Sequence, residues 1–263
     1  MPVALCLSRR PRVRLIVRNC KSRRVCDRRA VFEARQFDLR RRSAIARAFA
    51  AAAGTTLLPD FALAAPGGAL PAPDRAGGLP LEQALARRRS VRGYGARPLA
   101  LAAVSQVLWA VQGTSGSGGR RTAPSAGALY PLELDLVAMR VDGLAAGLYR
   151  YLPATHALTG STTEITASEL QRAAMGQQAV AAAAAVVVIT AVESRTAGRY
   201  GARAGRYVAF EAGAAAQNLA LQAAALGLGT VVIGGFDEAA VARVLQLPPG
   251  EQPIVLMPIG VPA

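Results

Sequence analysis

Reactive side chains are scarce in this sequence of 263 residues, and their scarcity excludes several kinds of chemistry. The cysteines are confined to the start of the chain, at Cys6, Cys20 and Cys26. Lys21 is the only lysine, and His156 is the only histidine. The rest of the chain therefore contains no thiol nucleophile, no cysteine metal ligand, no disulfide and no Schiff-base lysine. A metal site built from several histidines is impossible as well, and we expect no metal.

Acidic residues are also fewer than basic ones, and most of this difference lies in the N-terminal part of the chain. The formal net charge is +15, and residues 1–43 hold 14 of the 31 basic residues but only 3 of the 16 acidic ones. The charge of the remaining chain is nearly balanced. The basicity therefore belongs to an N-terminal arm, and it is not a sign that the body of the protein binds nucleic acid.

Residues 1–39 form this basic arm, which is rich in arginine and has no periodic pattern. One interpretation is a tail that binds nucleic acid or a membrane surface. The other, which we favour, is that translation begins further on, near Val31. On that interpretation we expect no nucleic-acid partner.

Residues 40–64 have the order of a bacterial export signal. Three arginines precede a mostly apolar run of about 15 residues, and Ala62-Leu63-Ala64 follows it. Paired arginines are typical of the twin-arginine route, so we expect an exported, periplasmic protein, with an amphipathic or disordered arm of a cytoplasmic protein as the alternative. The run is shorter than the roughly 20 residues that a stable membrane span needs.

Residues 65–80 are a Pro/Gly-rich linker, and residues 81–263 are predicted to form one folded domain. Helices and strands are mixed in this domain without strict alternation, which favours an α+β fold over a doubly wound sheet. No nucleotide-binding glycine motif follows a predicted strand, which agrees with that choice. The periodicity predicts helices at residues 81–89, 99–112, 168–175, 205–226 and 237–245, and strands at 132–141, 147–152, 184–192, 230–233 and 254–259.

Arginines are concentrated where the first predicted helix ends. Arg87, Arg88, Arg89 and Arg92 surround Ser90, and guanidinium groups with a hydroxyl suit a phosphate. The alternative is a run of solvated positive charges at the C-terminus of a helix, where positive charge stabilises the helix.

Two stretches of small residues expose backbone that could meet a flat ligand. Pro124, Ser125 and Ala126 form one, and Gly234 with Gly235 forms the other, between a strand and a helix N-terminus. Each is also compatible with an ordinary turn.

Arg199 and Tyr200 precede the long helix, where they could contact a substrate or simply belong to a surface loop. We interpret His156 as a surface loop residue and Trp109 as a core residue of the second helix.

These stretches occur together and in a fixed order, and from about Leu79 onward the chain resembles the nitroreductase superfamily of flavin enzymes. It is most similar to the SagB-type dehydrogenase branch, which includes the azoline oxidases of peptide maturation. The resemblance is carried by R-R-S-V-R at 88–92, W-A-V-Q-G-T at 109–114, R-T-A-P-S-A-G-A-L-Y-P-L-E at 121–133, G-L-Y-R-Y at 147–151, A-A-Q-N-L at 215–219 and G-L-G-T-V-V-I-G-G-F-D at 227–237.

The resemblance implies a nitroreductase-like α+β sandwich, with a central, mostly antiparallel sheet flanked by helices, that forms an intertwined homodimer. FMN would lie at the subunit interface, with NAD(P)H as a possible electron donor. The resemblance assigns the flavin phosphate and ring edge to Arg88, Arg89, Ser90 and Arg92, the ring face to Pro124, Ser125 and Ala126, and the reactive edge to Gly234 and Gly235.

The implied activity is hydride transfer through flavin N5 to or from a small organic molecule, with Arg199 and Tyr200 as the candidate catalytic residues. The azoline oxidases have Lys-Tyr before the long helix and often Gly-His within it, whereas this chain has Arg199-Tyr200 and Gly213-Ala214. An arginine is a poor general base, so reduction of nitro or quinone compounds is favoured over azoline oxidation. A flavin-binding envelope protein without turnover is a further alternative.

Overall fold

A computed structural model describes residues 67–116, 118–160 and 165–263, and the predictions for residues 1–39 and 40–64 lie outside these ranges. Its centre is a six-stranded sheet in which every neighbouring pair is antiparallel. The strands are β2 (Leu132–Ala138), β4 (Gly147–Leu152), β5 (Ala157–Gly160), β6 (Ala185–Ala191), β7 (Gly229–Thr230) and β8 (Gln252–Gly260). Their order is β5-β4-β2-β6-β8-β7, while β1 (Leu99–Ala100) and β3 (Val141–Asp142) form a separate parallel pair.

Helices cover both faces of the sheet, so the predicted α+β architecture is confirmed. One face packs against α2 (Leu101–Gln112) and α6 (Ala204–Ala225), and the other against α3 (Ala167–Ala173), α4 (Gln178–Ala182) and α7 (Glu238–Val244). The remaining helices are α1 (Leu81–Arg87) and α5 (Ser194–Tyr200). Within the described ranges, no helix combines the length and the apolar character needed to cross a membrane.

Strand β6 contributes side chains to both hydrophobic cores, one on each face of the sheet. Its residues alternate between the faces: Val187 and Ile189 join the cluster under α2 and α6, while Val186 and Val188 join the cluster under α3, α4 and α7. Every residue of β6 is buried, as its continuous apolar run predicts. Burial of each such side chain stabilises the fold by roughly 1.5–3 kcal/mol.

Two helix ends follow from local sequence signals. Helix α6 ends where Gly227 takes a φ of +69°, a conformation that favours glycine. Helix α7 begins at a cap in which the Asp237 carboxylate accepts the Ala240 amide at 2.9 Å. Both ends lie where the sequence predicts them.

Helix α1 and strand β7 differ from the prediction. Helix α1 ends at Arg87 rather than residue 89, and Leu81 and Leu85, which share a face, remain 59% and 50% exposed. Strand β7 is paired at Gly229 and Thr230 only, after which a single bridge joins Ile233 to β8. The predicted strand 230–233 is therefore a short edge strand: it pairs with β8 at its start, and after a break only Ile233 pairs with β8 again.

The described part of the predicted linker, residues 67–80, begins with a docked segment. The amide of Leu70 donates to the carbonyl of His156 at 3.0 Å, and Ala69 forms a bridge with Ala157 at the edge of β5. Leu70 is buried in the core under α2 and α6. Further along, Asp74 and Gln106 of α2 exchange two hydrogen bonds.

His156 fixes this segment rather than standing in a plain surface loop. Its Nδ1 lies 2.8 Å from the Tyr151 hydroxyl, and its Nε2 lies 2.8 Å from Ser105 Oγ and 3.0 Å from the Pro71 carbonyl. Ser105 and Tyr151 are fully buried, so these contacts are structural. Trp109 also differs from the prediction, because it is half-buried and lines a surface cavity beside α6.

Candidate functional site

The chain turns from helix α1 into an extended segment at Arg88. This segment runs beside β7, where the Val91 amide donates to the carbonyl of Thr230 at 2.9 Å and Ser90 pairs with Thr230 in parallel. Side chains of an extended segment alternate between two sides. Arg88, Ser90 and Arg92 therefore share one side.

The arginines of this segment have different partners. Arg87 donates to Gln83 Oε1 at 3.2 Å within α1, and Arg89 donates to the carbonyls of Ala86 and Arg88 at 2.7 and 2.8 Å. The Arg89 guanidinium therefore bonds carbonyls at the end of α1, as the charge-run alternative predicts, while Arg87 is held by a side chain of the same helix.

Arg88 and Arg92 remain available to a ligand. Among the described residues, neither side chain has a hydrogen bond or ion pair. Arg89 instead lines a cavity of about 280 Å³ together with Val91 and Thr230. The structure thus groups Arg88, Ser90 and Arg92, and it separates Arg89 from them.

Gly234 and Gly235 follow β7 and lead into α7. A Cβ atom placed on either glycine would meet nothing within 4 Å, so open space borders this backbone. The carbonyl of Gly235 accepts a hydrogen bond from Gln177 Nε2 at 2.7 Å, which holds the turn. Because both this turn and Ser90 adjoin β7, these predicted residues belong to one edge of the sheet.

The loop 121–131 is fixed by hydrogen bonds at several points. The Ala126 amide donates to Glu211 Oε1 of α6 at 2.8 Å, and the Tyr130 amide donates to Ser125 Oγ at 2.8 Å. Pro124 is exposed, whereas Ser125 and Ala126 are half-buried. A rigid, nearly bare surface therefore faces outward at residues 124–126.

Arg121 secures the base of this loop. It donates to Gln112 Oε1 at 2.9 Å and stacks over the Tyr130 ring at 4.7 Å. Burial lowers the pKa of Arg121, and the nearby carboxylate of Glu133 opposes that shift. The guanidinium keeps its proton, because the ordinary pKa of arginine is very high.

Arg199 and Tyr200 lie directly on the loop. A Cβ placed on Gly127 would be 2.9 Å from Arg199 Nη1 and 3.1 Å from the Tyr200 hydroxyl. Gly127 has a φ of +63°, a conformation that favours glycine, and a side chain at this position would have to displace Arg199 or Tyr200. The structure therefore brings the predicted pair 199–200 together with the predicted stretch 124–126.

Helix α5 is anchored to the same loop through Arg195. Its Nη1 lies 2.5 Å from Glu133 Oε1 and donates to the carbonyl of Tyr130 at 3.1 Å. The position of Arg199 one turn later is thereby tied to the loop. Neither Arg195 nor Glu211 was predicted, because nothing in the local sequence shows which distant residue they meet.

A buried ionic cluster lies beneath Glu133. Arg150 bonds both Asp135 oxygens, at 2.7 and 3.0 Å, and Glu251 at 2.8 Å, and the Thr190 hydroxyl donates to Glu251. Burial raises the pKa of Asp135 to about 7, and Arg150 opposes that shift only in part. One guanidinium thus serves two buried carboxylates, which favours retention of a proton.

The two groups of predicted residues contact different parts of α6. Ala126 of the loop meets α6 at Glu211, whereas Val91, next to Ser90, shares its cavity with Ala220 and Ala224. Glu211 and Ala224 are roughly 20 Å apart along the axis, at about 1.5 Å per residue. One chain therefore presents these groups as two separate half-sites: the edge half-site (residues 88, 90, 92, 234 and 235) and the loop half-site (residues 124–127, 199 and 200).

Comparison with known proteins defines the class. The sequence profile of the Nitroreductase family matches residues 85–261, and the chain belongs to that family. It is an oxidoreductase of this family, and its α+β fold is the nitroreductase fold.

Particular relatives are consistent with this membership. A Methanocaldococcus jannaschii protein described as a nitroreductase is 42% identical over 180 residues, which is 68% of this chain and 90% of the relative. A crystal structure described as a nitroreductase, from Ralstonia eutropha, is 32% identical, with a TM-score of 0.62 over 74% of this chain and 88% of that chain. The Escherichia coli microcin synthetase McbBCD complex, solved with truncated pro-MccB17 bound, contains a chain that is 25% identical, with a TM-score of 0.60 over 66% of this chain and 68% of that chain.

Proposed function

We propose that the domain is an FMN-dependent oxidoreductase that works as a homodimer and transfers hydride to or from a small nitro, quinone-like or heterocyclic molecule. The observation that carries the proposal is the edge half-site. There Arg88, Ser90 and Arg92 share one side of an extended segment, the two guanidiniums have no partner in the described part of the chain, and open glycine backbone lies along the same edge of the sheet.

The residues present fit a flavin mononucleotide in both of its chemical parts. Guanidinium and hydroxyl groups suit a phosphate, so Arg88, Ser90 and Arg92 would hold the tail and the electron-rich ring edge. Arg89 would support them from the end of α1. Bare peptide at Gly234 and Gly235 suits close approach by a flat ring.

The loop half-site would come from a second copy of the chain. Within one chain it contacts α6 far from the edge half-site, so Pro124, Ser125 and Ala126 would reach the ring face only across a dimer interface. An exposed stripe on α6 with 59% exposed Phe210, and the exposed Leu81 and Leu85 of α1, offer apolar surface for such an interface. We propose that the interface covers them.

The flavin, when bound, supplies the redox chemistry through N5. The chain's own residues would bind and orient the reactants: Arg92 would place a positive charge near the ring edge, and the rigid loop 124–126 would exclude water from the ring face. Arg199 and Tyr200 would contact the substrate beside Gly127. Reduced nicotinamide, NADH or NADPH, is the proposed electron donor.

A second candidate is a SagB-type, azoline-type dehydrogenase of peptide maturation. The likeness to a chain of the microcin synthetase complex favours it, whereas Arg199 in place of a lysine disfavours it. A flavin-binding envelope protein without turnover is a third candidate, and it would be left if bound flavin accepted electrons from no donor. We further propose that the protein is exported after cleavage near Ala64.

An absorbance spectrum of the purified protein tests the leading proposal. We expect flavin bands, release of FMN on denaturation, and a dimer by analytical ultracentrifugation. Anaerobic mixing with NADH or NADPH should bleach the flavin, whereas a dehydrogenase of peptides would not respond promptly. A colourless protein that takes up no added FMN would overturn the proposal.

Intact mass of the native protein tests the export proposal separately. A mature chain that begins near Ala65 is expected. A chain that still carries residues before Ala65 would contradict cleavage there.

A further inference from the structure

The glycine pair of the edge half-site is not required by the chain's own geometry. Neither Gly234 nor Gly235 has a positive φ, and a Cβ atom on either would meet no atom within 4 Å. A larger residue would therefore fit at both positions as far as this chain is concerned. Bare backbone here favours the close approach of a group from outside the chain.

This backbone also offers hydrogen-bond donors. In the part of the chain that the structure describes, the amides of Gly234, Gly235 and Phe236 donate to no acceptor. A donor contributes most to binding when it is already held in place, because less conformational entropy is then lost. Two adjacent glycines need such restraint more than other residues, since glycine has the greatest backbone freedom.

The chain is fixed on both sides of the glycine pair. Before the pair, Ile233 and Leu256 exchange two backbone hydrogen bonds, at 2.9 and 3.0 Å. After the pair, the Asp237 amide donates to the carbonyl of Ala173 at the end of α3, at 3.0 Å. Neither contact acts on Gly235 itself, so its orientation depends on a further group.

Gln177, at the start of α4, is that group. Its Nε2 donates to the Gly235 carbonyl at 2.7 Å, and because a carbonyl only accepts, the side-chain amide has one orientation. The peptide bond between Gly235 and Phe236 is trans, so its N–H points away from its C=O. Gln177 therefore holds the carbonyl on its own side and turns the Phe236 amide to the opposite side.

The turn that carries Gln177 has its own hydrogen bonds. The Met175 amide donates to the Arg172 carbonyl at 3.1 Å, and the Gly176 amide donates to the Gln171 carbonyl at 2.9 Å. The Gln171 side chain returns a bond from Nε2 to the Gly176 carbonyl at 3.1 Å. Gln171 therefore supports the turn, whereas Gln177 connects the turn to the edge half-site.

We propose that Gln177 is a positioning residue of the edge half-site, which holds the glycine backbone so that its free amides meet an acceptor at the reactive edge of the flavin ring. The inference rests on the proposed function, because the flavin is the ligand that brings the acceptor. Gln177 acts through Gly235, from the carbonyl side of the peptide, and needs no contact with flavin or substrate. Its loss should weaken a hydrogen bond to the ring and leave the phosphate contacts of Arg88 and Ser90 intact.

A matched pair of flavins measures this hydrogen bond without turnover. FMN and 5-deaza-FMN differ at one ring position, where C–H replaces the acceptor N5. Fluorescence titration of the flavin-free protein should show FMN binding about fivefold more tightly than 5-deaza-FMN, as expected for one hydrogen bond. In Gln177→Met the two affinities should differ by about twofold or less, because methionine has a similar size but no donor.

Two further variants separate positioning from a general loss of structure. Gln171→Met removes a side-chain bond of the same turn but none to Gly235, and it should keep the preference for FMN. Gln177→Glu keeps the shape of the side chain and replaces the donor with an acceptor, so the preference should shrink in it as well. Melting of each variant checks that it is folded.

A preference for FMN that survives in both Gln177 variants would overturn the inference. Equal affinities for the two flavins in the unaltered protein would do so too, and so would an equal loss of preference in Gln171→Met, which would assign the effect to the turn as a whole. A protein that binds neither flavin gives a different result, because it would overturn the proposed function and this inference with it.

Discussion

The edge half-site and the loop half-site differ in how much of their hydrogen bonding is satisfied within the chain. In the edge half-site, Arg88 and Arg92 have no partner among the described residues, and open space borders Gly234 and Gly235. In the loop half-site, the backbone is held by Glu211 and by Ser125 itself. The first arrangement leaves groups for a ligand to satisfy, and the second provides a rigid surface. In the proposed flavin site, the edge half-site would supply most of the binding energy, and the loop half-site would supply a fixed surface.

The largest effect is expected when the ligand-facing groups of the edge half-site are removed. Arg88→Ala with Ser90→Ala should weaken FMN binding by roughly 100-fold or more, since hydrogen bonds to charged groups contribute about 1.5–3 kcal/mol each. Fluorescence titration of the flavin-free protein measures it. Arg87→Ala, which removes an arginine engaged within α1, is the control and should bind FMN normally. An equal loss of FMN affinity in the double variant and in Arg87→Ala would contradict the distinction between Arg88 and Arg87.

The loop half-site should respond through stability instead. Glu211→Leu leaves the Ala126 amide without its acceptor, at a cost of roughly 1–3 kcal/mol. For a domain of this size, the melting temperature should fall by about 2–4 °C per kcal/mol. Glu211→Gln keeps an acceptor oxygen and should lose much less. If Glu211→Leu and Glu211→Gln had the same melting temperature, the hydrogen bond from Ala126 to Glu211 would not be what holds the loop.

A pair of glycine substitutions sharpens the contrast further. Gly127→Ala should destabilise the fold by roughly 1–2 kcal/mol, because alanine is strained at a positive φ and its Cβ would press on Arg199. Gly234→Ala should leave the melting temperature nearly unchanged, since its Cβ would enter open space, but it should weaken FMN binding. Calorimetric melting and flavin titration of both variants measure the two effects. A loss of stability in Gly234→Ala, with none in Gly127→Ala, would contradict the comparison.

The smallest effect concerns the ionic cluster below the loop. The pKa of Asp135 is raised to about 7 from 3.8, so the folded protein holds a proton that the unfolded chain releases. Stability from this group is complete below about pH 4 and is lost as pH rises toward and through 7. Between pH 6 and pH 8 the loss should be about 1 kcal/mol, measured by urea unfolding.

Asp135→Asn tests the assignment of that pH dependence. Asparagine does not titrate, so the slope between pH 6 and pH 8 should largely disappear. A slope that persists in the variant would assign the proton to another group of the cluster.

The fold was predictable because its signals are local. The apolar run of β6, the glycine after α6 and the Asp237 cap each specify their element from a few neighbouring residues. The C-terminal end of α1 was not predictable, because it depends on the pairing of the next residues with Thr230, about 140 residues away.

The candidate site was predictable only in part, for the same reason. Residue types that suit a phosphate or a flat ring could be recognised, and one chain holds them in two separate groups. The anchoring of the loop by Glu211 and Arg195 depends on contacts with distant residues that no local pattern encodes.

Both margins of the central sheet are occupied by the chain itself. Beside β5 runs the segment that contains Ala69, and beside β7 runs the segment that contains Ser90. Unpaired strand margins are where sheets from separate molecules fuse. Because both edges are occupied in this way, the proposed dimer would form through helices instead of through sheet edges, and the exposed face of α6 around Phe210 would be its centre.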